Sequence, residues 1–249
     1  MTKEPNHSSA TPTRRDRRSG AGELPNDHVI ETIRNAILDG DLAAGSRINE
    51  GQLAQRLEVS RTPIRAALHV LAGEGLITYI RNRGYFVREF NLSEVLDAFE
   101  MRALAEAFSA RLAAERGLSA HEELELDESL RLTDEALRST DIEQARHLYS
   151  RSNELFHSVI QSAAGSRLVS DVIALCHRIP QTLTRNVMAF TLEDVQKRGQ
   201  EHRLIYEAIL ARRPKEAEER MFNHVIGVRK GIVRALAAKD QPARDDHPL

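Results

Sequence analysis

The chain has 249 residues, 41% hydrophobic and 29% charged, the make-up of a folded protein of one large or two modest domains and not of a disordered one. No apolar run approaches the ~20 residues of a membrane helix, the polar, basic N-terminus lacks the apolar stretch of a secretory signal, and the single Cys176 can form neither an internal disulfide nor a thiolate zinc cage, which together point to the cytoplasm and to no membrane partner. A net charge of -2 announces no polyanionic partner, but residues 1–90 balance at +2 and residues 91–249 at -4.

Residues 1–25 read as a disordered basic tail, rich in Ser, Thr, Pro, Gly and Arg and without apolar periodicity. Its Arg14, Arg15, Arg17 and Arg18 suit either DNA phosphates or a solubilising leader, the commoner use of such a run. From Asp27 the pattern changes. Val29, Ile30, Ile33, Ala36 and Ile37 recur at helical spacing, and Gly40 ends that helix. A loop follows through Gly45. Asn49 as N-cap, with Gln52 three residues on, opens a short helix carrying Leu53, Ala54 and Leu57. Ser60 stands as N-cap of a third helix, Pro63 falls in its first turn, and Ile64, Ala67, Leu68 and Leu71 form its buried stripe before Gly75. Residues 76–80 and 85–87 are β-prone runs around Arg81-Asn82-Arg83-Gly84, a hairpin with glycine at the turn.

Residues 26–89 therefore predict a winged helix-turn-helix. The third helix would enter a DNA major groove with Ser60, Arg61, Thr62 and Arg65 on its leading end, and the wing would bring Arg83 and Gly84 to the duplex. From Arg56 to Arg88 the chain carries six arginines against two acids, Glu58 and Glu74. That charge alone fits a phosphate-binding face or a solvated helix surface about equally.

The remainder, residues 92–238, predicts an all-helical antiparallel bundle of about six helices, near 92–117, 119–138, 141–163, 166–186, 191–211 and 213–238. Ser119 with Glu122, Asp141, and Thr191 with Asp194 are start signals. Pro180 is placed to kink or shorten the fourth helix, and Pro214 sits in the first turn of the last. The fold class is thus mainly α.

The residues carry a resemblance. Gly45-Ser46-Arg47-Ile48, Val59-Ser60-Arg61-Thr62-Pro63-Ile64-Arg65, Glu74-Gly75-Leu76-Ile77 and Arg83-Gly84-Tyr85-Phe86-Val87 resemble the DNA-binding domain of the GntR transcriptional regulators. Residues 92–237 resemble the FCD effector domain found in one subfamily of them. The resemblance implies DNA contacts by Arg61, Thr62, Arg65, Arg83 and Gly84, and a homodimer on a short palindromic operator of double-stranded DNA. Relatives often place a DNA-contacting Arg at the start of the second helix, where this chain has Gly51, so that contact is expected to be missing.

Three histidines form the other candidate site. Asn153 and His157 lie four apart on one helix face, and His202 and His224 fall on the fifth and sixth bundle helices. Three inward imidazoles and one oxygen suit a divalent metal, zinc first, with nickel or manganese as alternatives. By spacing alone, histidines in helices more often serve packing. The FCD resemblance strengthens the metal reading, since Asn153-Glu154-Leu155-Phe156-His157, Glu201-His202 and Met221-Phe222-Asn223-His224 match its motifs, with Asn153 where many relatives have Asp. Arg102 matches a position that FCD proteins use near the cavity, so it anchors a small carboxylate effector on one reading and forms an i,i+4 ion pair with Glu106 on the other. His7, His28, His69, His121, His147, His177 and His247 read as structural or surface groups.

These features predict a ligand-responsive transcriptional regulator, a repressor, and not an enzyme. The alternative is a metal-dependent hydrolase using the histidines. It lacks His-Glu-x-x-His, since His121-Glu122 is followed by Glu125, and the chain also lacks G-x-S-x-G, a P-loop and G-x-G-x-x-G.

Overall fold

The computed structural model describes residues 26–182 and 191–239. The expected basic tail, with Arg14 to Arg18, lies outside them. Three helices, α1 (Asn26–Leu38), α2 (Glu50–Arg56) and α3 (Arg61–Gly73), precede a hairpin of β1 (Ile77–Ile80) and β2 (Gly84–Val87). The strands pair antiparallel with Ile77 opposite Val87 and Ile80 opposite Gly84. Gly84 takes φ +93°, a conformation that costs other residues dearly, so a glycine closes this turn. The sequence predicts a loop through Gly45 and no element for Ser46, Arg47 and Ile48. Instead they add a third rung to the wing: Arg47 bridges Phe86, and Ile48 N–H donates to the Tyr85 carbonyl at 2.9 Å. One core serves all these elements, with Ile33, Ile64, Leu68, Leu71 and Leu76 buried at its centre.

The cap signals act where expected for α2. The Asn49 side chain accepts from the Gly51 and Gln52 amides, satisfying two of the orphan N–H groups at a helix start. Ser60 occupies the N-cap position of α3 in extended conformation, but its hydroxyl makes no capping bond.

Among the described residues six further helices follow: α4 (Leu92–Arg116), α5 (Ala120–Arg138), α6 (Ile142–Ala164), α7 (Arg167–Cys176), α8 (Leu192–Leu210) and α9 (Pro214–Lys239). Ser119 and Glu122 form a reciprocal capping box on α5, while Asp141 and Thr191 cap α6 and α8. A second box, Asn91 with Glu94, starts α4 and was not anticipated. The fourth bundle helix is shorter than the expected 166–186. It ends at Cys176, and a 3₁₀ turn follows at Pro180–Thr182. Pro180 offers no amide hydrogen and disfavours helical geometry at Ile179.

Helix α4 is the hub, packing on α6, α7, α8 and α9. Alanine recurs on its inner face, with Ala103, Ala107, Ala110, Ala113 and Ala114 buried alongside Phe99, Arg102, Glu106 and Leu112. Small side chains let the neighbouring helices approach closely. The same logic holds at Gly199 in α8, where an added Cβ would lie 2.7 Å from Thr133 Cγ2 of α5. Phe156, Ile160, Ile205 and Ile209 supply the bulk of the core.

The two parts of the chain touch. Arg178, just past α7, donates from Nη1 to the Glu74 carbonyl at the end of α3, at 3.1 Å. Arg88 pairs with Glu94 of α4. Between them runs a groove of about 350 Å³, lined by Gly75, Arg88, Met101, Leu175, Cys176 and Arg178.

Candidate DNA-reading face and metal centre

Ser60, Arg61, Thr62 and Arg65 lie together at the leading end of α3, and all four are exposed. Their helix is held from behind by Ile64, Ala67, Leu68 and Leu71. Arg65 Nε donates to Glu50 Oε2 of α2 at 2.7 Å. Arg83 at the wing tip is exposed, with its guanidinium carbon 5.3 Å from the centre of the Phe86 ring, a cation–π distance that fixes the side chain beside Gly84. Recognition helix and wing thus present five basic or hydroxyl side chains, with one carboxylate, Glu50, bonded to Arg65, an arrangement that duplex backbones attract.

In the bundle, α6, α8 and α9 each turn one imidazole inward. His157, His202 and His224 offer ligand atoms all within 4.8 Å of one another. All three residues are buried, His202 completely. His202 Nε2 and His224 Nε2 stand 3.2 Å apart. Two nitrogens on one tetrahedral zinc lie about 3.4 Å apart, so the separation fits a shared ion as well as it fits a hydrogen bond. The His202 ring stacks on Phe156, with centroids 3.9 Å apart and planes 9° from parallel, which sets its orientation.

Two carboxylates stand behind the imidazoles. Glu201 Oε2 lies 2.8 Å from His224 Nδ1. Glu106 Oε2 touches His157 Nδ1. A carboxylate that accepts from Nδ1–H leaves Nε2 as a bare lone pair, the form a metal requires. His202 Nδ1 is buried without a hydrogen-bond partner. Burial first, and then repulsion from the neighbouring His224, His157 and Arg198 whenever these carry charge, holds His202 well below the ordinary imidazole value. Burial also lowers His224, against the pull of Glu201. Both rings are therefore neutral donors at neutral pH, and this all-nitrogen set fits a borderline divalent cation. Asn153 lies one turn before His157, buried, with Oδ1 accepting from the Tyr149 hydroxyl at 3.3 Å.

Arg102 makes the i,i+4 ion pair. Its Nε donates to Glu106 Oε1 at 2.5 Å, and its Nη1 donates to the Thr182 carbonyl at 2.6 Å. Burial works to raise the Glu106 carboxyl, but Arg102 and then His157 overcome it and hold the group well below the usual carboxylate range.

Comparison with known proteins agrees with this architecture. Residues 25–87 match the family described as bacterial regulatory proteins, gntR family, and residues 97–227, more than half of the chain, match the FCD domain. The chain belongs to the GntR family of bacterial regulators. It is 46% identical over 72 residues to the Nta operon transcriptional regulator of Aminobacter aminovorans, an alignment covering 29% of this chain and 34% of that one. It is 27% identical to the HTH-type transcriptional repressor GlaR of Escherichia coli (strain K12), over 82% of this chain and 94% of GlaR. The fold is similar to that of E. coli McbR/YncC, with a TM-score of 0.70 at 20% identity, covering 85% of this chain and 98% of that one. As a GntR regulator the protein is a DNA-binding transcriptional regulator, and no described helix is long and apolar enough to cross a membrane.

The sequence reading of this GntR chain missed the contact between Glu106 and His157, the bond from His224 to Glu201 and the clamp of Glu50 on Arg65. The four-residue step from Arg102 to Glu106 was the only local signal for the first of these. The other two join residues 23 and 15 positions apart through tertiary packing.

Proposed function

We propose that this regulator is a cytoplasmic repressor, not an enzyme, that binds a palindromic operator as a homodimer and releases or grips it in response to a small carboxylate. On this reading Ser60, Arg61, Thr62, Arg65, Arg83 and Gly84 meet DNA. His157, His202 and His224, with Asn153, hold one divalent metal, zinc before nickel or manganese, and the metal supplies open positions for an anion. Arg102 is the second anchor of that anion. The observation that carries the metal reading is the convergence of three buried imidazoles from three helices. GlaR, named a repressor, supports the sign of regulation. Helices α4 and α7 pack together and expose Met101, Leu104, Leu168 and Leu175, which supports a dimer contact through the bundle.

A path of contacts supports coupling between the two sites. Arg102 holds the Thr182 carbonyl. The Thr182 hydroxyl donates to the Cys176 and Ile179 carbonyls, each at 2.8 Å. Arg178, between those two residues, holds the end of α3. An anion that draws Arg102 off Thr182 loosens this turn, and DNA must then change anion affinity by the same factor.

The test is elemental analysis with metal titration of the wild type and of His202→Ala. One metal per chain is expected in the wild type and none in the variant. A wild type that takes up no metal, with an operator response unchanged in His202→Ala, would leave the histidines as core packing. On the DNA side, Arg83→Ala is expected to weaken specific and non-specific duplexes alike and to reduce the salt slope by about one, as loss of one phosphate contact does. A change confined to the operator would make Arg83 a base reader instead.

A further inference from the structure

Glu50 poses a problem of charge. It opens α2 beside the leading end of α3, and its carboxylate is partly exposed, with 27% of its side chain accessible. A carboxylate on a surface that must approach phosphates is repelled by them. Its partner is Arg65, whose side chain is 65% accessible and therefore free to reach outward. The bond engages Arg65 Nε. A guanidinium held at Nε still presents its two terminal nitrogens, the fork that pairs with the O6 and N7 edge of guanine.

The next residue adds a second observation. A Cβ at Gly51 would lie 3.3 Å from Arg61 Nη2 and 3.8 Å from Arg61 Cζ. The Arg61 guanidinium thus lies over the Gly51 backbone, in the space a side chain at position 51 would fill. The Asn49 side chain caps this first turn of α2 by accepting from the Gly51 and Gln52 amides.

We propose that the first turn of α2 positions both recognition arginines: Glu50 orients Arg65, Gly51 seats Arg61, and Glu50 determines sequence specificity while touching no base. A long side chain loses rotamer freedom when it docks, and one ordered beforehand loses less. Glu50 therefore trades general attraction to DNA for discrimination between sequences. This inference rests on the DNA-binding role of the family and is independent of the metal.

Two roles for Glu50 differ in sign. Glu50→Gln removes a negative charge, so every duplex should bind more tightly if Glu50 is a bystander. If it positions Arg65, a scrambled duplex binds more tightly while the preferred duplex binds more weakly. The full-length protein is used to enrich a duplex from random DNA, and its affinity is compared with that for a scrambled duplex at fixed salt. The expected result for Glu50→Gln is a drop of about tenfold in the ratio of the two affinities, the size of one bidentate base contact. Arg65→Lys, which keeps the charge but has no fork, should lose the same ratio, and the double variant should lose no more than either alone. Selection repeated with Gly51→Ala should change the preferred base at a position that Glu50→Gln leaves intact. An unchanged ratio in Glu50→Gln, or losses that add in the double variant, overturns the proposal. Should Glu50→Gln not fold, full specificity in Arg65→Lys overturns it as well.

Discussion

Glu106→Ala is expected to destabilise the metal-free protein by about 3–5 kcal/mol, the usual cost of removing one partner from a buried ion pair. Arg102 is only 5% accessible and Glu106 1%. Without the carboxylate, the Arg102 cation keeps the Thr182 carbonyl, a neutral acceptor, and His157 loses the group at its Nδ1. Both side chains are buried, so water does not replace the lost partner. The loss should appear as a lower denaturant midpoint with unchanged slope. Replacing the pair together, Arg102→Met with Glu106→Leu, should recover most of it, since an apolar pair of similar volume needs no charge compensation. The sign with pH follows from the lowered Glu106 carboxyl. Its stabilisation is fully present above the unfolded carboxylate value of about 4.3 and is lost as pH falls through the lower folded value. The gap between wild type and Glu106→Ala should therefore narrow in strong acid. A cost under about 1 kcal/mol at neutral pH, the range of a surface pair, would mean that the pair is solvated.

How much of this was legible in the chain depends on the range of each interaction. The recognition helix was readable because Pro63 and the stripe from Ile64 to Leu71 act within one helix. The hairpin was readable because Asn82 and Gly84 carry its turn, both at positive φ. The third rung at Arg47 was not, since nothing in Gly45-Ser46-Arg47-Ile48 alternates, and its pairing depends on Phe86 of β2, 39 residues on. The shortening of α7 was foreshadowed by Pro180, but helical periodicity alone ran past it. At the candidate metal centre, spacing and family resemblance together named three histidines that the fold brings into one cluster. The groups that tune them were silent. Glu106 reaches α6 from α4, and Glu201 reaches α9 from α8, so each appears in sequence as an ordinary helical acid. Arg102 shows the opposite case. Its ion pair to Glu106 followed from a four-residue step, while its bond to Thr182 spans 80 residues.

The metal-free protein is expected to lose stability as pH falls below about 6.5. His202 and His224 are lowered when folded, and both return to about 6.5 when the chain unfolds. Below that value the unfolded chain takes up protons that the folded chain refuses, so unfolding becomes easier as pH drops. Each such group contributes a slope of about 1.4 kcal/mol per pH unit until the folded value is reached, and the two together about 2.7. The groups that face them set how far this extends. His157 and Arg198 oppose protonation of His202, whereas Glu201 favours it on His224, so His224 should take up its proton first as acid is added. Chemical denaturation in chelator at pH 7.5, 6.5 and 5.5 measures the slope. His202→Phe, which keeps a ring to stack on Phe156, should remove about half of it. A flat profile over this range in the wild type would show that the imidazoles reach water. The same lowering shifts proton competition for a bound metal. Free imidazoles would surrender a metal as pH falls through 6.5, the outcome expected from the residue types alone. Rings that resist protonation should hold it to lower pH, and added metal should flatten the stability profile by binding only the neutral folded site.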